Sequence, residues 1–321
     1  MTSLSFREVW EAKKRISSFV QPTPILYSDP LSEHTGARVH LKLEHTHPTG
    51  SFKLRGAANK ILSLDEKDLK KGVTTFSTGN HGISVAYVAA ELGIPCTVCI
   101  SDRVPKAKVN RLKKLQASVE IVGSSQDEAE ARCAELERDD GMTVIKPFDD
   151  REIIAGQGTI ALEIMEQCPE VDEVIIPLSG GGLLSGIAFV MKSIEPSIRV
   201  TGVTMKKGAV MQESLAKGKP VILEESDTLA DSLLGGIGTE NRYTFSMTKA
   251  YMDEGVLVEE AQIEEGLLFT LEHHKMVVEG AAATGVGHVL HSNDLQGKNV
   301  VVVMSGNNID HDAITDLLAK S

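Results

Sequence analysis

Short apolar runs alternate with longer amphipathic segments along most of the chain, and this alternation constrains the fold more than any other feature. The runs have the length and β-branched content of buried strands. They are Val39–Leu43, Val73–Phe76, Thr97–Ile100, Ser118–Ile121, Val174–Pro177, Val200–Val203 and Val300–Met304. The segments with helical spacing include Ile83–Leu92, Lys106–Leu115, Gln126–Asp139 and Leu184–Ile194. Such alternation predicts an α/β fold with parallel strands and helices on both faces of each sheet.

The length of the chain, 321 residues, is typical of two domains. Residues 48–147 carry their own series of strands and helices, so we predict two open, twisted sheets. The small α/β domain, residues 48–147, is then an insertion in a large domain made of residues 1–47 and 148–321. Ligands of open parallel sheets bind beyond the carboxyl ends of the strands. We therefore expect the chemistry in the loops that follow the strands.

Charge and composition exclude several classes of function. The net charge is −12, and acidic and basic residues are interspersed without a basic stripe. This composition argues against nucleic-acid binding. No apolar run reaches the ~20 residues of a membrane helix. Residues 1–15 lack the apolar centre of a signal peptide, and we expect a cytoplasmic protein without membrane contact. Cys96 and Cys99 form a C-x-x-C pattern, but they lie in a predicted strand without a second pair, which indicates core positions.

A lysine among apolar neighbours is the first feature that carries chemistry. Lys53 stands between Phe52 and Leu54, just after a turn that contains Pro48 and Gly50. Apolar surroundings disfavour the charged ammonium and lower the pKa of the amine. A neutral amine can attack a carbonyl and form a Schiff base. Lys53 is therefore a candidate for a covalent link to a cofactor aldehyde.

A glycine-rich loop, Ser179–Gly186, follows the strand Val174–Pro177 and opens a helix. The backbone N–H groups of Gly180–Gly182 can converge on an anion at the helix N-terminus. The loop matches neither a Walker sequence nor G-x-G-x-x-G, and the next strand tip has no acidic residue to hold a ribose. A small phosphorylated cofactor is favoured over a dinucleotide, with a glycine turn required only for packing as the alternative.

Two further polar loops follow predicted strands. Ser77–Gly82 offers hydroxyls, an amide and backbone donors at a helix start, which suits a carboxylate or a phenolic oxygen. Its alternative role is ordinary helix capping. Ser305–Asn308 follows the strand Val300–Met304 and would direct the Ser305 hydroxyl into the ligand crevice, although such a stretch alone is commonly a turn. Together with the lysine and the glycine loop, these stretches indicate a pyridoxal phosphate site.

The four stretches resemble the signatures of the threonine dehydratase and serine racemase family of fold-type II pyridoxal phosphate enzymes, whose fold is similar to that of tryptophan synthase β. The resemblance covers essentially the whole chain, in order and spacing. It implies that Lys53 binds pyridoxal 5'-phosphate covalently. The implied cofactor-binding residues are Phe52, Lys53, Asn80, Ser179, Gly180, Gly181, Gly182, Leu183, Gly235, Glu279 and Ser305. The implied substrate-binding residues are Ser77, Thr78, Asn80 and His81.

The resemblance also implies individual roles and a reaction. Asn80 would hydrogen-bond the phenolic oxygen of the cofactor, Ser305 would face the pyridine nitrogen, and the glycine loop would bind the phosphate. Lys53 would remove the α-proton of the substrate before the β-hydroxyl leaves, and Thr78 would be the second catalytic residue. A neutral serine at the pyridine nitrogen weakens the electron sink, which favours prompt elimination. The implied function is dehydration and deamination of a β-hydroxy amino acid of the threonine, serine or 3-hydroxyaspartate type.

Two departures from the racemases of the family narrow the prediction. Racemases have a serine as proton donor where this chain has Thr78, whose methyl group restricts side-chain rotation. Dehydration is therefore expected ahead of racemisation. The stretch Gly202–Val210 lacks the carboxylates of the racemase magnesium site, so no metal is predicted. The chain ends soon after Ser305, which favours a catabolic enzyme without a regulatory domain.

The substrate and some rival functions stay open. Pro147–Asp150 and Gly235–Gly238 are similar to a subgroup of hydroxyectoine-utilisation and β-hydroxyaspartate dehydratases. A second substrate carboxylate would need a cation, for which the candidates are Lys146, Arg151, Lys206 and Arg242. The alternatives are a racemase, a β-replacement synthase of the same fold, and a non-catalytic cofactor-binding regulator. A homodimer is expected from the family.

Overall fold

Two separate β-sheets organise the chain in a computed structural model, which describes residues 4–102, 104, 106–124, 126–224 and 226–320. The strands in these residues are β1 (Ile25–Tyr27), β2 (Arg38–Lys42), β3 (Val73–Thr75), β4 (Cys96–Ile100), β5 (Ser118–Ile121), β6 (Thr143–Val144), β7 (Glu173–Pro177), β8 (Arg199–Met205), β9 (Glu254–Val258) and β10 (Asn299–Val303). The large sheet has the order β1–β2–β10–β7–β8–β9, and the small sheet has the order β5–β4–β3–β6. The predicted α/β fold with two sheets is confirmed.

Helices connect the strands and cover both sheets. In the described residues they are α1 (Phe6–Arg15), α2 (Asp29–Thr35), α3 (Lys53–Leu62), α4 (Glu66–Lys71), α5 (Asn80–Leu92), α6 (Lys106–Lys114), α7 (Gln126–Asp140), α8 (Arg151–Gln167), α9 (Gly182–Ile194), α10 (Val210–Lys217), α11 (Thr244–Tyr251), α12 (Glu260–His274), α13 (Gly280–His291) and α14 (His311–Lys320). Polar caps begin several of them. Ser5 and Glu8 form a capping box at α1, and Asp150 accepts the first N–H groups of α8.

The seven predicted strands and four predicted helices are all present with small shifts at their ends. Three strands were missed, namely β1, β6 and β9. β6 is only two residues long, and β9 at the sheet edge alternates exposed and covered residues rather than forming an apolar run. β1 is also the one antiparallel partner among the paired strands described, because it reverses beside β2. The predicted parallel arrangement therefore holds for the other described strand pairs of the large sheet, and the β1–β2 pair is its exception.

The large sheet is buried on both faces, as its apolar strands predicted. On β10, Val301 and Val303 pack in a core with residues of α1, α8 and α9. The alternate residues, Val300 and Val302, pack in a second core with residues of α12 and α13. The two-residue repeat of a strand thus places one apolar set on each face. Parallel pairing places the carboxyl ends of β7 and β10, where the predicted loops begin, on the same side of the sheet.

The small sheet lies between residues 73 and 144, inside the segment predicted as the inserted domain. The domain boundaries themselves stay a prediction. Cys96 packs in a core with α3 and α5, and Cys99 packs in a separate cluster with α7, so the predicted core positions of both cysteines are confirmed. In the part of the chain that the structure describes, no helix is both long and apolar enough to cross a bilayer.

Candidate functional site

A cavity of about 200 Å³ lies where the first turns of four helices meet. α3 begins at Lys53, α5 at Asn80, α9 at Gly182, and α13 begins directly after Glu279. None of these four helices has a side-chain cap that accepts its first N–H groups. Uncapped N–H groups and the helix dipole favour negative charge. The cavity therefore offers several anion-binding ends within a chain whose net charge is −12.

Most of the predicted site residues line this one cavity. They are Phe52, Lys53, Ser77, Asn80, His81, Ser179, Gly180, Gly181, Gly182, Leu183, Gly235, Glu279 and Ser305. Thr78 is the exception, since it lines an adjoining cavity of about 170 Å³. The two cavities share Asn80 and Glu279 as part of their walls. The structure thus brings together residues that are more than 250 positions apart in sequence, from Phe52 to Ser305.

Lys53 has the environment that its apolar neighbours predicted. Its Nζ lies 5.3 Å from the centre of the Phe52 ring and donates to the carbonyl oxygen of Pro147 at 2.6 Å. Burial lowers the pKa of Lys53 to about 8, and the nearby charge of Glu279 opposes this shift. A substantial fraction of the amine is then neutral near pH 8, which is the form that attacks a carbonyl.

The glycine loop has a shape that only small residues permit. Gly181 has φ = +84°, a left-handed conformation that L side chains rarely adopt. A Cβ at Gly180 would lie 2.4 Å from the ring of Phe148. The loop between β7 and α9 therefore requires glycine at these positions. The first N–H groups of α9 lie at the end of the helix that adjoins this loop. This is the geometry in which backbone donors bind a phosphate.

Ser305 and His81 each have a buried polar atom without a partner among the described residues. Ser305 Oγ lies at the end of β10 and makes no hydrogen bond. His81 Nε2 lies 2.9 Å from the carbonyl oxygen of Ile145, whereas its Nδ1 has no partner. Burial and the charge of Lys53 lower the pKa of His81 to about 3, so its ring is neutral at pH 7. Native proteins pair nearly all buried polar groups, so these two atoms indicate space for a ligand's polar groups.

Glu279 is the acceptor at the centre of the polar wall. Asn80 Nδ2 donates to both carboxylate oxygens at 2.9 Å, and Ser232 Oγ donates to Oε1 at 3.0 Å. The backbone N–H of Asn308 donates to Oε2 at 3.2 Å. Burial raises the pKa of Glu279, and these donors oppose the shift. Asn80 Oδ1 in turn accepts from Asn308 Nδ2, so the amide of Asn80 is held at both ends.

The cations proposed for a second substrate carboxylate lie elsewhere. Lys146, Arg151 and Arg242, all in the described part of the chain, line a third cavity, and Arg151 pairs with Glu8. Lys206 pairs with Glu259 on the exposed surface. None of these four candidates lines the cavity around Lys53. The sequence shows where these cations lie along the chain, but it could not predict which cavity or surface they face in the fold.

Several residues of the site were given no role in it from the sequence, although Pro147 and Phe148 belong to the stretch that resembles the subgroup. Pro147 supplies the carbonyl acceptor of Lys53, Phe148 packs against the glycine loop, and Ser232 donates to Glu279. Arg111 lines the adjoining cavity and donates from Nη1 to Asn308 Oδ1 at 2.6 Å. A backbone carbonyl leaves no mark in a sequence. Ser232 and Arg111 lie in segments without a motif, so no sequence signal distinguishes them.

A second group of buried polar residues lies near α3, the helix that begins at Lys53, but does not line the cavity. We name it the charge cluster, and it consists of Lys42, Glu44, Arg55 and Glu163. Arg55 donates to Glu44 at 2.7 Å and to Glu163 at 2.6 Å, and Lys42 donates to Glu163 at 2.7 Å. Across the residues that the structure describes, no three His, Cys, Asp or Glu side chains converge as a metal site requires. The absence of a metal stays a prediction.

The residues of the cavity fit pyridoxal 5'-phosphate. The cavity contains an amine with a lowered pKa, a narrow glycine loop at a helix N-terminus, and an unpartnered buried hydroxyl. These features match an aldehyde, a phosphate and a ring nitrogen, respectively. Lys53, Ser179–Leu183 and Ser305 are the residues that would hold these three groups.

Comparison with known proteins supports the same cofactor. Residues 16–306 match the family described as pyridoxal-phosphate dependent enzymes. The chain is 47% identical over 311 residues to a putative threonine dehydratase of Sinorhizobium fredii, covering 97% of this chain and 94% of that protein. It is 40% identical over 317 residues to the L-threonine ammonia-lyase of Thermotoga maritima, covering 99% and 79%. Its fold matches the structure of maize serine racemase with a TM-score of 0.92 at 31% identity, covering 99% and 97%.

Proposed function

The chain belongs to the family of pyridoxal-phosphate-dependent enzymes, and on this premise we propose that it dehydrates and deaminates threonine and serine at the cavity around Lys53. The coarser part of this statement is established by the relatives: the protein is a lyase that uses pyridoxal 5'-phosphate to eliminate and deaminate hydroxy amino acids. The choice of substrate and the role of each residue are proposals. The subgroup with hydroxyectoine-utilisation and β-hydroxyaspartate dehydratases likewise stays a prediction.

The single observation that carries the proposal is Lys53 at the first turn of α3, with its pKa lowered to about 8 beside Glu279. Bound pyridoxal phosphate supplies an electron sink that makes the α-proton of an amino acid acidic. Lys53 is the amine that takes this proton, because its lowered pKa lets it accept and release a proton near neutral pH. Pro147 fixes the direction of its Nζ through the 2.6 Å hydrogen bond.

The remaining residues bind and orient. Ser179–Leu183 present backbone N–H groups to a phosphate at the start of α9. Ser305 Oγ, which has no other partner in the described residues, would hydrogen-bond the ring nitrogen as a neutral group. Ser77 and the uncapped first turn of α5 receive the substrate carboxylate. His81 is neutral, so its contribution is a hydrogen bond at Nδ1 rather than a positive charge.

The charge of the cavity walls favours substrates with one carboxylate. Among the described residues that line the main cavity, Lys53 is the only lysine or arginine. In the adjoining cavity, Arg111 shares the lining with three acidic residues, Asp231, Glu279 and Asp310. A second carboxylate at that place would meet like charges, which is unfavourable. Threonine and serine therefore fit better than 3-hydroxyaspartate.

Racemisation needs a proton donor on the face of the substrate opposite Lys53. Thr78, the residue at the racemase donor position, lines the adjoining cavity rather than the one that contains Lys53. This placement supports elimination ahead of racemisation as the main activity. Thr78 as a catalytic residue stays a prediction.

Three wider assignments complete the proposal. The four cysteines are all buried and unpaired, which supports the predicted cytoplasmic location, since reducing compartments keep thiols free. The homodimer rests on the family resemblance, and light scattering after gel filtration tests it. The two-domain division, with residues 48–147 as the inserted domain, is proposed on the same basis and is supported by the separate small sheet.

The test is a panel of hydroxy amino acids with release of 2-oxo acid as the measurement. Threonine and serine should give kcat/KM values at least ~10-fold above that of 3-hydroxyaspartate, because one unpaired carboxylate next to like charges costs about 1–2 kcal/mol. The matched control is Lys53→Ala, which should bind no cofactor covalently. A protein that shows the visible absorbance of the lysine-bound cofactor but turns over no hydroxy amino acid would instead be a cofactor-binding regulator.

A further inference from the structure

Asn308 makes contacts with four separate segments that surround the cavity. Its Nδ2 donates to the carbonyl oxygen of Thr49 at 2.9 Å and to Asn80 Oδ1. Its Oδ1 accepts from Arg111 Nη1 at 2.6 Å, and its backbone N–H donates to Glu279 at 3.2 Å. Thr49 lies in the turn before Lys53, and Asn80 lies at the start of α5. Arg111 lies in α6, and Glu279 directly precedes α13. The predictions from the sequence singled out the stretch that contains Asn308 but gave this side chain no role.

The contact with Asn308 decides which way the amide of Asn80 points. An asparagine amide has one accepting end and one donating end. The donor Nδ2 of Asn308 faces Oδ1 of Asn80, so Nδ2 of Asn80 faces both oxygens of Glu279. A reversed Asn80 amide would place two N–H donors together and a carbonyl oxygen against a carboxylate. The observed orientation of Asn80 is therefore the one that avoids both a donor–donor and an acceptor–acceptor contact.

Arg111 fixes the orientation of Asn308 in the same way. A guanidinium only donates hydrogen bonds, so the end of the Asn308 amide that faces Arg111 must be its carbonyl oxygen. The amide nitrogen of Asn308 is thereby directed to Thr49 and Asn80. The three side chains form a directed chain of donors from Arg111 through Asn308 to Asn80, and the donor of Asn80 ends on Glu279 in the wall of the cavity.

We propose that Asn308 is a positioning residue for the cofactor ring, acting through the amide of Asn80, and that Arg111 acts on the same amide through Asn308. The inference rests on the proposed function and on the role that the family resemblance implies for Asn80, whose amide would hydrogen-bond the phenolic oxygen of the ring. Neither Asn308 nor Arg111 touches the reacting atoms in this scheme. Their effect is to keep the donor end of Asn80 on the side of the cavity and Glu279.

Asn308→Asp separates this role from a simple structural tether. Aspartate has the shape of asparagine and keeps an acceptor for Arg111, but it loses both donors to Thr49 and Asn80. If Asn308 only linked α6 to the loop after β10, the aspartate variant would keep that link through Arg111 and would weaken cofactor binding less than Asn308→Ala does. If Asn308 orients Asn80, the aspartate variant should fail as severely as Asn308→Ala.

The experiment titrates the cofactor-stripped protein with pyridoxal phosphate and follows visible absorbance. Asn308→Asp and Asn308→Ala should each weaken cofactor binding by ~10-fold, the size of one lost hydrogen bond to a polar group. The pH midpoint of the visible band should move upward in both, because the ring oxygen loses a reliable donor. Asn307→Ala and Lys113→Ala, on the same loop and the same helix as Asn308 and Arg111, should leave both quantities unchanged.

A double-mutant cycle tests the part played by Arg111. Arg111→Ala should weaken cofactor binding by ~3–10-fold, and Arg111→Ala combined with Asn308→Ala should be no worse than Asn308→Ala alone. A smaller loss of cofactor binding in Asn308→Asp than in Asn308→Ala, an unchanged pH midpoint, or fully additive single effects would each overturn the inference. These readouts need no turnover, so they remain decisive even if the substrate panel contradicts the proposed function.

Discussion

Two buried polar clusters lie beside α3, and their difference separates a structural network from a functional one. The charge cluster contains Lys42, Glu44, Arg55 and Glu163 and lies away from the cavity. The second, which we name the cavity cluster, contains Lys53, Asn80, Glu279, Ser305 and Asn308. Both clusters include a residue of α3, since Lys53 and Arg55 are two positions apart in this helix. The charge cluster is buried throughout, whereas Lys53 and Asn308 of the cavity cluster are only partly buried, and the two clusters also differ in the completeness of their hydrogen bonding.

The charge cluster stabilises the charged forms of Arg55, Glu44 and Glu163, whereas burial lowers the pKa of its fourth member, Lys42. Arg55 donates to both Glu44 and Glu163, and these pairs raise the pKa of Arg55 and lower the pKa values of the two carboxyls. In the cavity cluster the shifts have the opposite sense, since burial lowers the pKa of Lys53 to about 8 and raises that of Glu279. Ser305 Oγ there has no partner among the described residues. Groups held away from their ordinary charge state are typical of functional sites.

The largest effect is expected from Lys53→Ala, which removes the reactive member of the cavity cluster. Release of 2-oxo acid from threonine should fall by at least ~10³-fold, because both the covalent attachment and the proton acceptor are lost. The visible absorbance of the bound cofactor should disappear with it. Thermal unfolding should show that the stripped variant remains folded. A variant that retained wild-type turnover would show that another residue carries the chemistry.

Arg55→Met tests the charge cluster and should act on stability. The change leaves Glu44 and Glu163 buried near each other without their main cation, which costs ~3–5 kcal/mol in the free energy of unfolding. Lys60→Met on the same helix is the matched control, because Lys60 pairs with Asp150 and Glu152 at the partly exposed surface and should lose less than ~1 kcal/mol. Urea unfolding measures both, and equal losses would contradict the distinction between the clusters.

Gly181→Ala tests the glycine loop that completes the cavity. The added Cβ would lie 2.8 Å from Met211 and 2.9 Å from Thr248, in a backbone with φ = +84°. The loop must then shift, so pyridoxal phosphate binding should weaken by ~10–100-fold. Gly218→Ala is the control, since Gly218 also has a positive φ but ends α10 away from the cavity. It should reduce stability without changing the affinity for the cofactor.

The pKa of Lys53 predicts a pH dependence in the stripped protein. The unfolded state binds more protons than the folded state between pH ~8 and ~10.5, so the stability of the wild type should rise with pH through this window. Below pH ~8 the cost of the buried ammonium is fully present. Lys53→Met should therefore be more stable than the stripped wild type by about 2 kcal/mol at pH 7, allowing for partial solvent access, and the difference should vanish near pH 10.5. A difference that is constant across this range would show that Lys53 keeps its ordinary pKa.

The same comparison shows what the sequence could predict. Strand and helix patterns are local, and so are motifs such as the glycine loop, so the fold and most cavity residues could be predicted. The pairing of Arg55 with Glu163 and of Asn308 with Arg111 depends on which faces of distant helices meet, and no local pattern encodes this. Thr78 illustrates the limit, because it lies between Ser77 and Gly79 in the chain but only these neighbours line the main cavity. A side chain's direction within a loop is set by the tertiary structure.

Thr78→Ala should therefore have the smallest effect of the five changes. Thr78 lines the cavity next to the one that contains Lys53, so the loss of its hydroxyl should lower kcat/KM for threonine by less than ~5-fold. A residue that transferred a proton in the rate-limiting step would cost ~10²–10⁴-fold instead. Thr78→Ser is the control, because it keeps the hydroxyl and removes only the methyl group. If Thr78→Ala lost more than ~100-fold while Thr78→Ser kept full activity, the hydroxyl would belong to the reacting groups and the cavity cluster would extend across Asn80 into the second cavity.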